Sequence, residues 1–255
     1  MTGGPEIDLH VHSWGAGPPV VLVHGGILGG RETWRGQRPL TERWTLLAPD
    51  RPGHGETPAA RQDFEPEARL VADQLLDRPV HLVGFSYGGL VSLYAAALRP
   101  EHIRSLTVVE PPLFAVARGN PEVDATSKVT RDIIEDTSAS PEAGLARFFP
   151  VAGVPITLSD PIPQVLLDGM RQLQGARPPD EAEPPLDALR AASFPILVVS
   201  GGDRPVYEAI CDALAERTDA ERAVCPGMGH LVPDTGAPFN ELLEDFFNRA
   251  DGNAK

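Results

Sequence analysis

Residues 80–97 read Val-His-Leu-Val-Gly-Phe-Ser-Tyr-Gly-Gly-Leu-Val-Ser-Leu-Tyr-Ala-Ala-Ala. The apolar, β-branched first part predicts a buried strand and the Ala/Leu-rich last part a helix. Only Gly84-Phe85-Ser86-Tyr87-Gly88 is left to connect them. A turn this short forces its central residue into a strained backbone conformation, and glycine at 84 and 88 removes Cβ atoms that would collide with neighbouring chain. Ser86 is therefore expected at the tip. The following helix aims its first amides, and the positive end of its dipole, at whatever stands beside that hydroxyl. Strand, tight turn and helix is the unit from which α/β folds are built, and a serine presented in this way is a candidate nucleophile.

Two other strand ends carry matching chemistry. Pro19 to Val23 predicts a buried strand running into His24-Gly25-Gly26, and Arg222 to Cys225 predicts a last strand followed by Pro226-Gly227-Met228-Gly229-His230. A serine hydroxyl is a poor nucleophile until a base takes its proton, and imidazole suits because its unperturbed pKa lies near neutrality. His230, at the end of a strand and a flexible turn, is the candidate base. The oxyanion that develops on attack needs two preorganised donors, for which the amides of Gly26 and Tyr87 are placed. The ring of Tyr87 is expected to line the pocket.

With Asp50-Arg51-Pro52-Gly53-His54-Gly55 between the first two motifs, the chain resembles the α/β-hydrolase family along nearly its whole length. The resemblance implies a mostly parallel open sheet with helices on both faces and a helical cap insertion. It implies a serine hydrolase of the esterase or lactonase kind, cleaving a carboxylic ester, lactone or thioester through an acyl-enzyme on Ser86. In the family the turn at residues 50–55 is structural, which argues against His54 as a catalyst. The family's usual acid follows the penultimate strand in a G-x-x-D pattern. Here Gly201-Gly202-Asp203-Arg204 puts Arg204 in that slot and leaves Asp203 one residue short. Some members place the acid after the strand that follows the elbow helix, where this chain has Glu110. Glu110 is the first choice and Asp203 the alternative.

The rest of the chain supports this order. Ile7 to Ser13 alternates as an antiparallel edge strand does, Thr33 to Leu40 predicts a short helix, Trp44 to Pro49 a strand, Pro66 to Leu76 an amphipathic helix and Ile103 to Val109 a buried strand. From 113 to 193 the alternation stops. Helices are expected over Asp124 to Asp136, Pro141 to Phe149 and Pro161 to Gln174, followed by a polar, proline-rich run from Gly175 to Pro185. Strand and helix return with Phe194 to Ser200, Tyr207 to Arg217 and Phe239 to Phe247. Residues 1–112 and 194–255 are thus assigned to one α/β core and 113–193 to a helical cap over the carboxyl ends of the strands, where open α/β sheets bind ligands. Leu113, Phe114, Phe148, Phe149, Ile156, Leu166 and Met170 are expected to bury one another in the cap more often than to line a pocket. Ile27, Phe114, Phe148 and Met170 are the candidate substrate-facing residues.

Composition removes other classes. Net charge is −14 with only two lysines, Lys128 and Lys255, so nucleic acid and anionic membranes would meet repulsion. No window reaches the eighteen or so apolar residues of a membrane span, and Met1 to Glu6 has no basic start before an apolar run, so a cytoplasmic location is expected. Cys211 and Cys225 read as reduced, packed thiols. His10 and His12 are the one close histidine pair, without further metal ligands nearby in sequence, so neither metal nor cofactor is expected. The Ile27-Leu28-Gly29-Gly30 loop lacks the Gly-Lys-Ser/Thr ending of a phosphate cradle. Ser86 also excludes an aspartate nucleophile. The expected partner is a small ester-like molecule with an apolar portion, acted on by a monomer or homodimer. A cofactor-free haloperoxidase or lyase using the same residues, and a ligand-binding module that has kept the pocket, are the alternatives.

Overall fold

The computed structural model describes residues 7–252, so the expectation for Met1 to Glu6 lies outside the described residues. Among the described residues seven strands form one sheet in the order β1-β3-β2-β4-β5-β6-β7. They are β1 (Val11–Trp14), β2 (Pro19–Val23), β3 (Thr45–Pro49), β4 (Val80–Phe85), β5 (Ile103–Val109), β6 (Ile196–Ser200) and β7 (Glu221–Val224). Only β1 runs antiparallel, against β3. The other pairings are parallel. The β-branched runs are buried on both faces, as parallel strands between helical layers must be.

Alternation along the strands divides two apolar cores. Val21, Val23, Leu82, Leu106, Val108 and Val198 face α2 (Phe64–Leu75), α3 (Tyr87–Leu98) and α8 (Pro205–Thr218). Val20, Leu22, Val83, Phe85, Leu197 and Val199 face Trp34 and the Phe239, Leu243 and Phe247 side of α9 (Ala237–Ala250).

Several expected boundaries move. The helix expected from Thr33 to Leu40 divides into α1 (Gly30–Thr33) and a 3₁₀ segment, Arg35–Glu42, which contains Pro39; a proline has no N–H for an α-helical bond and its ring crowds the preceding turn. Between β5 and β6 come α4 (Pro121–Glu135), α5 (Pro141–Ala152), α6 (Gln164–Leu173) and a short α7 (Leu186–Arg190) that the proline-rich sequence hides. Asn120 and Ser140 cap α4 and α5 by accepting from first-turn amides, each ahead of a proline at the first helical position. Ile133, Ile134, Leu145, Phe149, Met170 and Leu173 bury one another as a separate cluster of this insert. Among the described residues no helix is long and apolar enough to cross a membrane.

Candidate active site

The turn between β4 and α3 holds Ser86 at φ 52°, ψ −126°, a conformation most side chains avoid. Its amide donates to Val109 O at 2.8 Å, and Gly89 N donates to Ser86 O at 2.8 Å, so bonds on both sides fix the strained residue. A Cβ on Gly88 would run into the carbonyl oxygens of Val23 and His24, and one on Gly84 into Ser92 and the carbonyl of Gly88. Glycine is needed at both.

Three strand ends converge on this hydroxyl. His230 Nε2 lies 3.0 Å from Ser86 Oγ, and its Nδ1 lies 2.6 Å from Glu110 Oε2. With the proton on Nδ1, the ring donates to the carboxylate and leaves Nε2 to accept from the serine. Glu110 is fully buried and sits at φ 41° directly after β5; its other oxygen accepts from Gly201 N at 2.6 Å. Tyr207 stacks on the His230 ring and Phe85 packs against it at 5.0 Å. Asp203 stands exposed on the neighbouring loop and makes no side-chain hydrogen bond among the described residues. The structure therefore brings Glu110, and not Asp203, to His230. Arg204 reaches instead toward Val151 O in α5, at 3.4 Å.

Gly26 and Tyr87 line one small cavity together with Ser86. Neither of their amides donates to a protein acceptor among the described residues. The loop that carries Gly26 is braced from behind by a buried guanidinium. Arg51 donates to Gly25 O at 2.7 Å, to Glu67 Oε2 at 2.6 Å and to Gln62 Oε1 at 2.9 Å, and its backbone amide donates to His24 Nε2 at 2.8 Å. Accepting at Nε2 requires His24 to be neutral with its proton on Nδ1, which bonds Gly25 O at 2.8 Å. Burial holds its pKa well below the usual histidine range, with the nearby His54 and Arg51 adding to the effect. His54 is pushed down to about 4, mainly by burial and then by Arg51. It contacts Gly26 O at 3.2 Å and has no bond to Ser86. The Tyr87 hydroxyl bonds Arg177 O at 3.1 Å, and burial followed by the Glu67 charge raises its pKa. That keeps the phenol neutral.

Two cavities meet at Ser86. The larger, about 230 Å³, is lined by Ile27, Phe85, Phe149, Val154, Ile156 and Leu166, includes His230 and Leu231, and has Glu32 and the Arg35–Asp234 ion pair among its lining residues. The smaller, about 30 Å³, is closed by Pro112, Phe114, Ile134, Leu173 and Tyr207. Phe148 lines both. Ile27, Phe114 and Phe148 thus border the site, whereas Met170 does not. It is fully buried against Gly144, where its unbranched thioether fills the space left between α5 and α6. The insert's large apolar residues serve both uses: Met170 and Phe149 belong to its own buried cluster, Phe148 and Leu166 pack against that cluster, and Phe148, Phe149, Ile156 and Leu166 line the larger cavity. Their spacing fits a helical or loop core equally well, and only the placement of the insert separates the two uses.

At the opposite edge, donor atoms of His10, His12 and Asp50 lie within 4.8 Å of one another, a third donor that the linear sequence did not bring to the histidine pair. The Asp50 carboxylate is already engaged: Oδ1 accepts from Gly30 N at 2.8 Å and Oδ2 lies 3.1 Å from His12 Nε2. The group anchors the edge strand to the turn after β3.

Residues 20–242 match the model of the Alpha/beta hydrolase family, and the chain belongs to that family. It is 34% identical over 179 residues to a pimeloyl-[acyl-carrier protein] methyl ester esterase of Methylococcus capsulatus, covering 69% of this chain and 67% of that protein. It is 34% identical over 142 residues to the lipase LipV of Mycobacterium tuberculosis, covering 53% and 50% of the two chains. Among solved structures, a thermophilic esterase from Thermogutta terrifontis superposes with a TM-score of 0.70 at 22% identity, covering 98% of this chain and 96% of that one. The N-acyl homoserine lactonase AidH superposes with a TM-score of 0.70 at 22% identity, over 96% and 98%.

Proposed function

We propose that this protein is a serine hydrolase of carboxylic esters, with Ser86 as nucleophile, His230 as general base and acid, and Glu110 as the carboxylate that orients His230. One observation carries the reading: the unbroken run from Ser86 Oγ to His230 Nε2 at 3.0 Å and from His230 Nδ1 to Glu110 Oε2 at 2.6 Å, beside two amides with no protein acceptor among the described residues.

As Ser86 Oγ attacks the carbonyl carbon, its proton passes to His230 Nε2, and Glu110 stabilises the imidazolium. The carbonyl oxygen gathers negative charge between the amides of Gly26 and Tyr87. When the tetrahedral intermediate collapses, the alcohol oxygen leaves with the proton from Nε2, and Ser86 remains acylated. Water then gives a proton to the same nitrogen, attacks the acyl carbon and releases the acid with Ser86 restored. The ester esterase and lipase names of the relatives support the bond type. The helices of 113–193 serve as a cap that walls the substrate, supported by the cavity residues they supply. Two buried free cysteines fit a reducing compartment, and we assign the protein to the cytoplasm.

The test is covalent labelling. A fluorophosphonate should add to Ser86, located by peptide mass spectrometry, and Ser86→Ala should abolish the adduct and lower ester turnover by roughly three or more decades. Normal labelling of the variant would overturn the reading.

A further inference from the structure

The two cavities that meet at Ser86 are unequal, and only one of them contains His230. The larger has His230 and Leu231 in its wall, whereas the smaller is bounded by Gly26, Tyr87, Phe114 and Tyr207 and does not include the imidazole. During acylation the departing alcohol oxygen must receive its proton from His230 Nε2, so the alcohol has to leave on the side where that nitrogen is open. The acyl substituent then takes the other side.

From this we infer that the enzyme takes esters of short acids with larger apolar alcohols, the acyl group in the small chamber and the alcohol in the large one. The inference rests on Ser86 and His230 having the roles proposed above. A cavity of about 30 Å³ accommodates a chain of only two or three heavy atoms, since one water-sized sphere needs roughly 10–15 Å³. Its walls are stiff: Pro112 and Pro179 have no backbone freedom at φ, and Phe114 is buried in the core. The larger chamber, about 230 Å³ and lined mostly by apolar side chains with Glu32 and the Arg35–Asp234 pair also in its lining, suits a linear or branched alkyl chain. Phe148, half-buried on α5, is the wall between them and sets the acyl limit. A methyl ester of a long acid, the type of substrate named for the Methylococcus relative, would have to place its long chain in the small chamber.

Hexyl acetate and methyl heptanoate are isomers that differ in which side of the ester bears the chain. Hydrolysis followed by acid release should give a kcat/KM at least about tenfold higher for hexyl acetate, because each methylene that a rigid pocket accepts or refuses is worth roughly tenfold or more. In a p-nitrophenyl series with a fixed leaving group, acetate should exceed hexanoate by about a hundredfold. Phe148→Ala, and the milder Phe148→Leu should the first not fold, should raise the hexanoate-to-acetate ratio by about tenfold. Equal rates for the isomers, or preference for methyl heptanoate, overturns the inference and leaves the serine mechanism standing. So does failure to hydrolyse either isomer by enzyme whose Ser86 takes a fluorophosphonate. Failure of Ser86 to take the probe overturns both.

Discussion

The ring of Tyr207 lies on the ring of His230, 4.7 Å between centroids with 17° between planes. Together with Phe85 it leaves the imidazole one orientation, the one in which Nδ1 meets Glu110 and Nε2 meets Ser86. Tyr207 touches no reacting atom, so it acts through the position of His230 and as a wall of the smaller chamber. Tyr207→Ala should lower kcat by about 10 to 100-fold, since misplacement of a catalytic group by about 1 Å costs on that order. Tyr207→Phe, which keeps the stacked ring, should stay within about threefold. Parallel measurement of fluorophosphonate labelling rate separates a displaced base from altered substrate binding, because both reactions need the same proton transfer.

Glu110 and Asp203 follow adjacent strands, β5 and β6, yet only Glu110 meets the imidazole. Glu110→Gln keeps the size and lets the amide oxygen accept from Gly201, but it places an N–H₂ donor or an uncharged acceptor opposite Nδ1. A donor there favours the tautomer with the proton on Nε2, which cannot take one from serine. Turnover should fall by roughly two to four decades. Asp203→Asn should cost less than about threefold. Steady-state kinetics on one p-nitrophenyl ester decides, and losses in the reverse order would reassign the acid.

Buried histidines set how stability responds to acid. Burial pushes His54 and His81 down to about 4, opposed at His81 by Asp251 and reinforced at His54 by Arg51. In the unfolded chain each titrates near 6.5. Between those values the unfolded state binds a proton that the folded state refuses, so stability must fall as pH drops from about 6.5 to 4. His81 lies in the core between Trp44 and Phe247, with Nδ1 2.8 Å from Ser105 Oγ, away from the candidate site. His81→Gln should therefore make urea stability less steep with pH in this window, by up to about 1.4 kcal/mol per pH unit. Comparison of the two slopes cancels groups common to both proteins. An unchanged slope would show that His81 is protonated in the folded state.

What the sequence revealed and what it hid follow from range. Gly84, Ser86 and Gly88 act within one turn, where steric limits are local, so the elbow was legible from five residues. Val20 to Val23 and Val80 to Val83 were legible because strands buried on both faces read as near-continuous apolar runs, broken here only by His81. The acid could be narrowed to Glu110 or Asp203 by the positions that the family resemblance implies; choosing between them needed the pairing of β5 with β6 and the path of the loop that returns His230. The insert resisted for a different reason. Met170 and Leu166 are both apolar and lie on one helix, but one fills the hole beside Gly144 and the other borders a cavity. That difference depends on how α5 and α6 cross, which no local pattern encodes. The bracing of the Gly26 loop by Arg51 was likewise hidden, since a buried arginine is recognisable only once Glu67 and Gln62 are seen around it.

The glycines at the elbow and in the oxyanion loop should respond differently to the same added methyl. At Gly88 a Cβ would overlap the carbonyl oxygens of Val23 and His24, both fixed by the end of β2. Neither strand nor helix can yield without breaking the turn that presents Ser86. Gly88→Ala should therefore cost about 3 kcal/mol or more, the upper end of overpacking penalties. For a chain of this size that is a drop in Tm of at least about 6 °C. At Gly26 the nearest atom to an added Cβ is Leu173 Cδ1 at 3.2 Å, the far end of a side chain that can rotate. Gly26→Ala should lower Tm by no more than about 4 °C and keep the Ser86 adduct, since the amide itself is untouched. Thermal unfolding of the two variants with a fluorophosphonate assay on each checks both halves. A stable, fully active Gly88→Ala protein would mean that the elbow has room the structure denies it.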